Sequence, residues 1–176
     1  MELIDLPLKG LRLIQPKIFR DERGFFLQTY LETEYQSLGL PSFVQDNTSC
    51  SKKGTIRGLH YQEKPGQDKL VWCLEGEIFD VAVDIRKDSP TFGQWYSVIL
   101  SNKSFSQFFI PKGFAHGFAV LSESAIVQYK VSAPYDSKME RSIRWNDPAL
   151  GIEWPIRTPL LSPRDLESPL LEQVLR

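Results

Sequence analysis

The sequence is poor in the residues that announce a metal or redox centre. Its 176 residues include only two cysteines, Cys50 and Cys73, and two histidines, His60 and His116. Two cysteines cannot build a disulfide framework, and a chain of this length can bury a core without one. Neither sign of charge dominates. The 21 basic and 22 acidic residues leave a net charge of -1, which excludes a broad basic surface for nucleic acid or membrane. Any anionic ligand must therefore be held by a few placed Arg and Lys side chains. No apolar run approaches the ~20 residues of a membrane helix. Met1-Glu2-Leu3-Ile4-Asp5 lacks the basic and then apolar character of a secretory leader. These absences lead us to expect a cytoplasmic protein with both thiols reduced and buried in strands. A catalytic cysteine beside a histidine is the lesser alternative.

Helix signals are also few. Leu31–Leu38 has room for two turns before Gly39 and Pro41, and Asp165–Leu175 for another turn or two. Pro155, Pro159, Pro163 and Pro169 make the end of the chain irregular, a tail expected to pack across the body and able to carry a residue into a site. Strand signals fill the remainder. Phe79, Val81, Val83 and Ile85 alternate with Asp80, Ala82 and Asp84, the pattern of a strand with two unlike faces. Similar runs occupy Gly24–Tyr30, Phe43–Ser49, Lys69–Leu74, Trp95–Leu100, Ser106–Ile110, Gly117–Leu121 and Ala125–Val131. Turn residues separate them, as at Glu75-Gly76 and Ser101-Asn102. We expect one domain over residues 1–176, mainly β, built as an antiparallel sandwich or barrel.

An isolated histidine is most often a satisfied polar group or a surface residue. Here both are flanked by glycines, in Gly58-Leu59-His60 and Gly113-Phe114-Ala115-His116-Gly117. Glycine lets backbones approach closely and leaves room for a ligand, which raises the functional reading of the pair. Pro111-Lys112-Gly113-Phe114-Ala115-His116 matches the Pro-x-Gly-x-x-His piece of cupins, which are jelly-roll barrels. The other cupin motif needs two histidines one residue apart, and here Tyr61 and Gln62 follow His60. Two histidines without an evident third ligand do not make a metal site, so proton chemistry is the better expectation.

At this point the chain resembles the dTDP-4-dehydrorhamnose 3,5-epimerase family, a metal-free branch of the cupins. The matching stretches run from about residue 19 to 165. They include Phe19-Arg20-Asp21-Glu22-Arg23-Gly24-Phe25-Phe26, Gln45-Asp46-Asn47-Thr48-Ser49 and Arg57-Gly58-Leu59-His60-Tyr61-Gln62. Others are Gln67-Asp68-Lys69-Leu70-Val71, Asp80 to Arg86, Pro111 to Phe118, Arg144-Trp145-Asn146-Asp147-Pro148 and Ser162-Pro163-Arg164-Asp165. The resemblance implies a cupin-like jelly-roll (double-stranded β-helix) barrel of antiparallel strands with a few short helices. It implies conversion of dTDP-4-dehydro-6-deoxy-D-glucose to dTDP-4-dehydro-L-rhamnose, with no cofactor and no metal. In its terms His60 is the general base, Asp165 orients it, Tyr129 is the general acid and Lys69 faces the C4 oxygen. Arg57 and His116 line the site, and Arg23, Gln28, Gln45, Asn47, Glu140 and Arg164 match substrate-binding positions. It further implies a homodimer, with N-terminal strands in the interface, residues near Arg23 reaching the partner's site, and the C-terminal tail on the barrel. Gln28 departs from the family's usual Glu, replacing an acceptor by a group that both donates and accepts.

The chemistry asks for such residues independently. Inverting a carbon beside a ketone means removing its proton, passing through an enolate and returning a proton to the opposite face. Two proton carriers on opposite faces do this; one does not. Histidine suits the first task and a partner carboxylate fixes its tautomer. Tyrosine, neutral at pH 7, suits the second. A fixed lysine stabilises the enolate oxygen more than the ketone. Arginines clamp a diphosphate, and Tyr135 is a weak candidate to stack on the base.

Each residue has a plainer reading. Lys69 fits a solvated strand position, Tyr129 a core tyrosine, Asp165 a helix N-cap, Glu140 a surface charge, and Arg23 a surface pair with Asp21 or Glu22. Asp84 is a candidate to orient a histidine or equally to make a structural hydrogen bond. The four tryptophans read as core or interface aromatics. The nearest rival function is a single-centre (C3 or C5) epimerase or ketoisomerase on a related nucleotide-linked 4-keto sugar. A metal-dependent cupin and a non-catalytic sugar-nucleotide binding module are the others.

Overall fold

The computed structural model describes residues 1–174, so Leu175 of the expected C-terminal helical stretch lies outside the described residues. In chain order the strands begin with β1 (Glu2–Asp5), β2 (Arg12–Gln15), β3 (Ile18–Asp21) and β4 (Gly24–Leu27). Helix α1 (Glu32–Ser37) follows, then β5 (Gln45–Lys52), β6 (Ile56–Gln62), β7 (Lys69–Glu75) and β8 (Glu77–Asp84). The chain continues through β9 (Trp95–Ser101), β10 (Gln107–Ile110), β11 (Phe114–Val120), β12 (Ser124–Val131) and β13 (Glu140–Ser142). It ends in two single-turn helices, α2 (Pro163–Leu166) and α3 (Leu171–Val174). Two antiparallel sheets face each other, ordered β1-β2-β10-β7-β12-β5 and β13-β6-β11-β8-β9. This is the mainly β, cupin-like jelly roll expected. The β3–β4 hairpin forms a separate two-stranded sheet.

Three apolar layers hold the sheets. Val71, Phe108, Ile110 and Val127 from one sheet meet Ile78, Ala82, Leu100, Phe118 and Val120 from the other inside the barrel. The outer face of the five-stranded sheet carries Leu59, Tyr61, Val81, Val83 and Ala115, covered by Ile143, Leu150, Leu171 and Trp154 of the late chain. The outer face of the six-stranded sheet carries Leu70, Trp72 and Phe109 beneath Tyr35 of α1. Each Val, Leu, Ile or Phe among them is worth roughly 1.5–3 kcal/mol when fully buried. The helix is one residue shorter at each end than expected, with no side-chain cap at Leu31 and a left-handed Gly39 at its close.

Two points of the expected pattern change in the fold. The polar face of β8 is interior as well: Asp80, Ala82 and Asp84 are wholly buried, because that face turns into the barrel while Val81 and Val83 turn outward. Both faces of β8 are therefore interior, so polar alternation there marks an inner wall. The second concerns Cys50, which is exposed because alternate residues of β5 point outward; only Cys73 is buried.

Candidate functional site

Strand β6 carries the first histidine and departs from regular pairing. Against β11, His116 stands opposite His60 and Phe118 opposite Arg57, so two steps on β11 match three on β6. The extra residue is a β-bulge at Gly58–Leu59. Residues three apart on a regular strand face opposite sides, yet Arg57 and His60 line the same cavity. The bulge is possible because Gly58 adopts φ +131° and lies against Gly117; a Cβ at Gly58 would stand 2.5 Å from the Gly117 Cα.

The cavity between the sheets has a volume of about 430 Å³, in the range of small-molecule sites. The five-stranded sheet contributes Arg57, His60, His116 and Glu140. The six-stranded sheet contributes Gln45, Asn47, Lys69 and Tyr129, and Tyr135 and Arg164 close the rim from loop and α2. Gln45 and Asn47 point inward on β5, with Tyr129 paired to Asn47 in register. The Gln45 amide donates to Asn47 Oδ1 at 2.9 Å and its carbonyl accepts the Tyr135 backbone N–H at 2.9 Å. Arg57 donates from Nε to Ser51 Oγ at 2.9 Å. Glu140 accepts from Tyr135 Oη at 2.8 Å and pairs with Arg164.

Asp165 reaches His60 from behind the cavity. Leu160 bridges to Thr55 and exchanges backbone hydrogen bonds with Gly54 and Ile56, which docks the tail beside β6. Ser162 caps α2 by accepting the Asp165 backbone N–H at 3.1 Å, and Pro163 begins the turn. The N-cap is thus Ser162, and the Asp165 carboxylate is free to meet His60 Nε2 at 2.6 Å while 3% exposed. Burial pushes the Asp165 carboxyl up, but the hydrogen bond and charge of His60, with Ser162 and the Gly58 backbone, outweigh it and hold it below its usual value.

Lys69 is buried, not solvated, and donates to the His60 backbone carbonyl at 3.3 Å. Burial lowers its ammonium to about 8, against the opposing pull of the Glu140 and Asp80 carboxylates. Burial and the Glu140 charge hold the Tyr129 phenol above its usual range, with Arg57 opposing, so it keeps its proton at neutral pH. Sequence reasoning missed Asp80, whose oxygens lie 2.9 and 3.0 Å from His116 Nε2. Asp84, the residue it considered for orienting a histidine, instead binds Arg86, Ser89 and Thr91. No sequence signal separated the two, since Asp80 and Asp84 each lie two residues from Ala82, and only the fold shows which of them meets His116. Ser49, Gln67, Phe118 and Val131 complete the lining.

Two expected residues lie elsewhere. Arg23 sits on the β3–β4 hairpin paired with Asp21, and Gln28 donates to Glu34 Oε2 at 3.1 Å. Neither lines the cavity: the hairpin forms its own two-stranded sheet, and Gln28 follows its second strand. Among the described residues no group of three or more His, Cys, Asp or Glu side chains is placed to hold a metal ion.

Fold and cavity together define a cupin-like barrel whose opposed walls carry titratable side chains, His60 and His116 on one and Lys69 and Tyr129 on the other. Residues 5–173 match the family profile described as dTDP-4-dehydrorhamnose 3,5-epimerase, and the chain belongs to that family of isomerases. It is 50% identical to the dTDP-4-dehydrorhamnose 3,5-epimerase of Salmonella typhimurium, over 99% of this chain and 98% of the relative. It is 44% identical to the Escherichia coli enzyme of the same name, over 100% and 97% of the two chains. The dTDP-6-deoxy-D-glucose-3,5-epimerase of Legionella pneumophila, solved in complex with dTDP-4-keto-L-rhamnose, superposes with a TM-score of 0.96 at 50% identity. That match covers 98% of this chain and 94% of the other.

Proposed function

We propose that the protein epimerises C3 and C5 of dTDP-4-dehydro-6-deoxy-D-glucose to give dTDP-4-dehydro-L-rhamnose. The observation that carries this reading is the placement of His60, backed by Asp165, and Tyr129 on opposite walls of one cavity. His60 takes the proton from the carbon beside the C4 ketone, and the electron pair moves to the C4 oxygen. Lys69, charged at neutral pH, stabilises that enolate. Tyr129 then delivers its proton to the other face of the same carbon, and exchange with solvent restores both groups. A second cycle at the other carbon completes the reaction. Asp165 fixes the His60 ring and stabilises the imidazolium formed.

Arg57 and Arg164 bind the diphosphate, Gln45, Asn47, His116 and Glu140 position the sugar, and Tyr135 packs on the base. Arg23 and Gln28 serve the same function from a partner subunit in a homodimer. That role is supported by their place outside the cavity and by Phe19, Phe25 and Phe26, all more than half exposed on the hairpin. A nucleotide-sugar substrate and a chain whose described helices are all too short and polar to span a membrane favour a cytoplasmic enzyme. Turnover of the 4-keto sugar nucleotide in deuterated water tests the reaction. Solvent deuterium at both C3 and C5 is the expected result; label at one centre sinks the double epimerisation.

A further inference from the structure

The barrel holds a second histidine–carboxylate pair, unlike the first in every respect but chemistry. Asp80 is wholly buried on the inner face of β8, and His116 Nε2 is its hydrogen-bond partner among the described residues. A buried carboxylate so thinly satisfied is costly to keep. His116 lines the cavity beside Lys69, and with Nε2 committed to Asp80, Nδ1 is the ring nitrogen left to face a ligand. We propose that Asp80 is a positioning residue that locks His116 in the Nε2–H tautomer, leaving Nδ1 a bare acceptor for a hydroxyl of the bound sugar.

The geometry fits the ring as donor. Distances of 2.9 and 3.0 Å to the two oxygens describe one N–H shared by an ionised carboxylate. The surrounding charges agree. Burial, then Lys69 and His60, push the His116 ring toward its neutral form against the pull of Asp80. Burial pushes the Asp80 carboxyl up, while His116 and Lys69 hold it down. A neutral ring with Nε2–H has an acceptor at Nδ1. Lys69 can only donate, so the two side chains read a ketone oxygen and a hydroxyl as different groups. Because Asp80 is wholly buried and does not line the cavity, its effect passes through His116.

Only the identity of the donor, a sugar hydroxyl, rests on the epimerase reading above. The tautomer itself is measured without substrate. With two histidines in the chain, ¹⁵N-edited spectra contain two rings, and His60→Asn leaves the His116 ring alone for assignment. The expected wild-type spectrum at neutral pH shows Nε2 protonated and Nδ1 unprotonated. Asp80→Asn can donate to Nε2 where the carboxylate only accepts, so Nδ1–H gains population and kcat/KM falls about 10²-fold. A wild-type ring carrying its proton on Nδ1, or on both nitrogens, overturns the proposal, and does so even if the variant fails to fold. So does any divergence in Asp80→Asn, with tautomer or turnover moving while the other stays.

Discussion

Arg57 and Arg23 are both suited to an anionic group, and the two regions that carry them differ in what one chain supplies. Arg57 stands on a barrel strand, its Nε fixed by Ser51 and its neighbours His60 and Tyr129 held by sheet pairing. Arg23 stands on a hairpin with its side chain 84% exposed, tied among the described residues to Asp21 two residues away. The barrel interior is a low-dielectric frame in which Arg57, His60, Lys69 and His116 each have a hydrogen-bond partner that orients them. The hairpin carries exposed Phe19, Phe25 and Phe26 that its own chain leaves uncovered. One barrel thus brings the cavity residues together, while the hairpin of the same chain stays outside the cavity.

The largest effect expected on the barrel side is from His60→Ala. Turnover should fall about 10³–10⁴-fold with substrate affinity nearly unchanged, read by single-turnover kinetics and calorimetry. A variant that turns over normally removes His60 as the base.

Gly58→Ala attacks the frame itself. Its Cβ meets the Gly117 backbone at φ +131°, so we expect at least about 3 kcal/mol lost in denaturant unfolding, with the bulge and the site. Wild-type stability and activity in that variant mean that the bulge tolerates a side chain.

Lys69→Met should lower kcat about 10²-fold. Because the wild-type ammonium titrates near 8, wild-type kcat/KM should decline as pH rises through about 8, a limb absent from the variant. Stability moves the opposite way. The unfolded lysine keeps its proton to about 10.5 while the folded one releases it near 8, so wild type gains stability relative to the variant across that interval. A flat difference between the two unfolding curves contradicts a buried, charged Lys69.

The smallest effect on folding is expected from Arg23→Ala, which removes an exposed pair and should leave Tm where it is. Its KM should nevertheless rise. Mixing it with His60→Ala protein should restore some activity through hybrid dimers, which separates a residue acting across subunits from one with no role.

Much of the barrel was readable in advance because strand alternation and turn residues are local. Strands β5, β7, β8, β9, β10 and β12 fall close to the runs expected from the sequence. The strand that matters most, β6, was obscured: Gly58 and the bulge break the period by which a strand is recognised. Lys69 illustrates a different limit. A lysine at the start of a strand reads as solvated, and only the packing of one sheet on the other shows it to be interior.

By itself the sequence determined a mainly β chain without a metal-ligand motif, and a set of separated residues matching one epimerase family. Those are properties of residue type, order and local period. The tertiary structure alone decided which residues meet. It placed Asp165 behind His60 across 105 positions, put Tyr129 on the opposite wall, and exchanged Asp84 for Asp80 as the partner of His116. It also set Arg23 and Gln28 outside the cavity. The reason is physical. Which face of a strand is interior depends on what packs against it, and long-range pairings are set by a fold closing on itself, not by spacing along the chain.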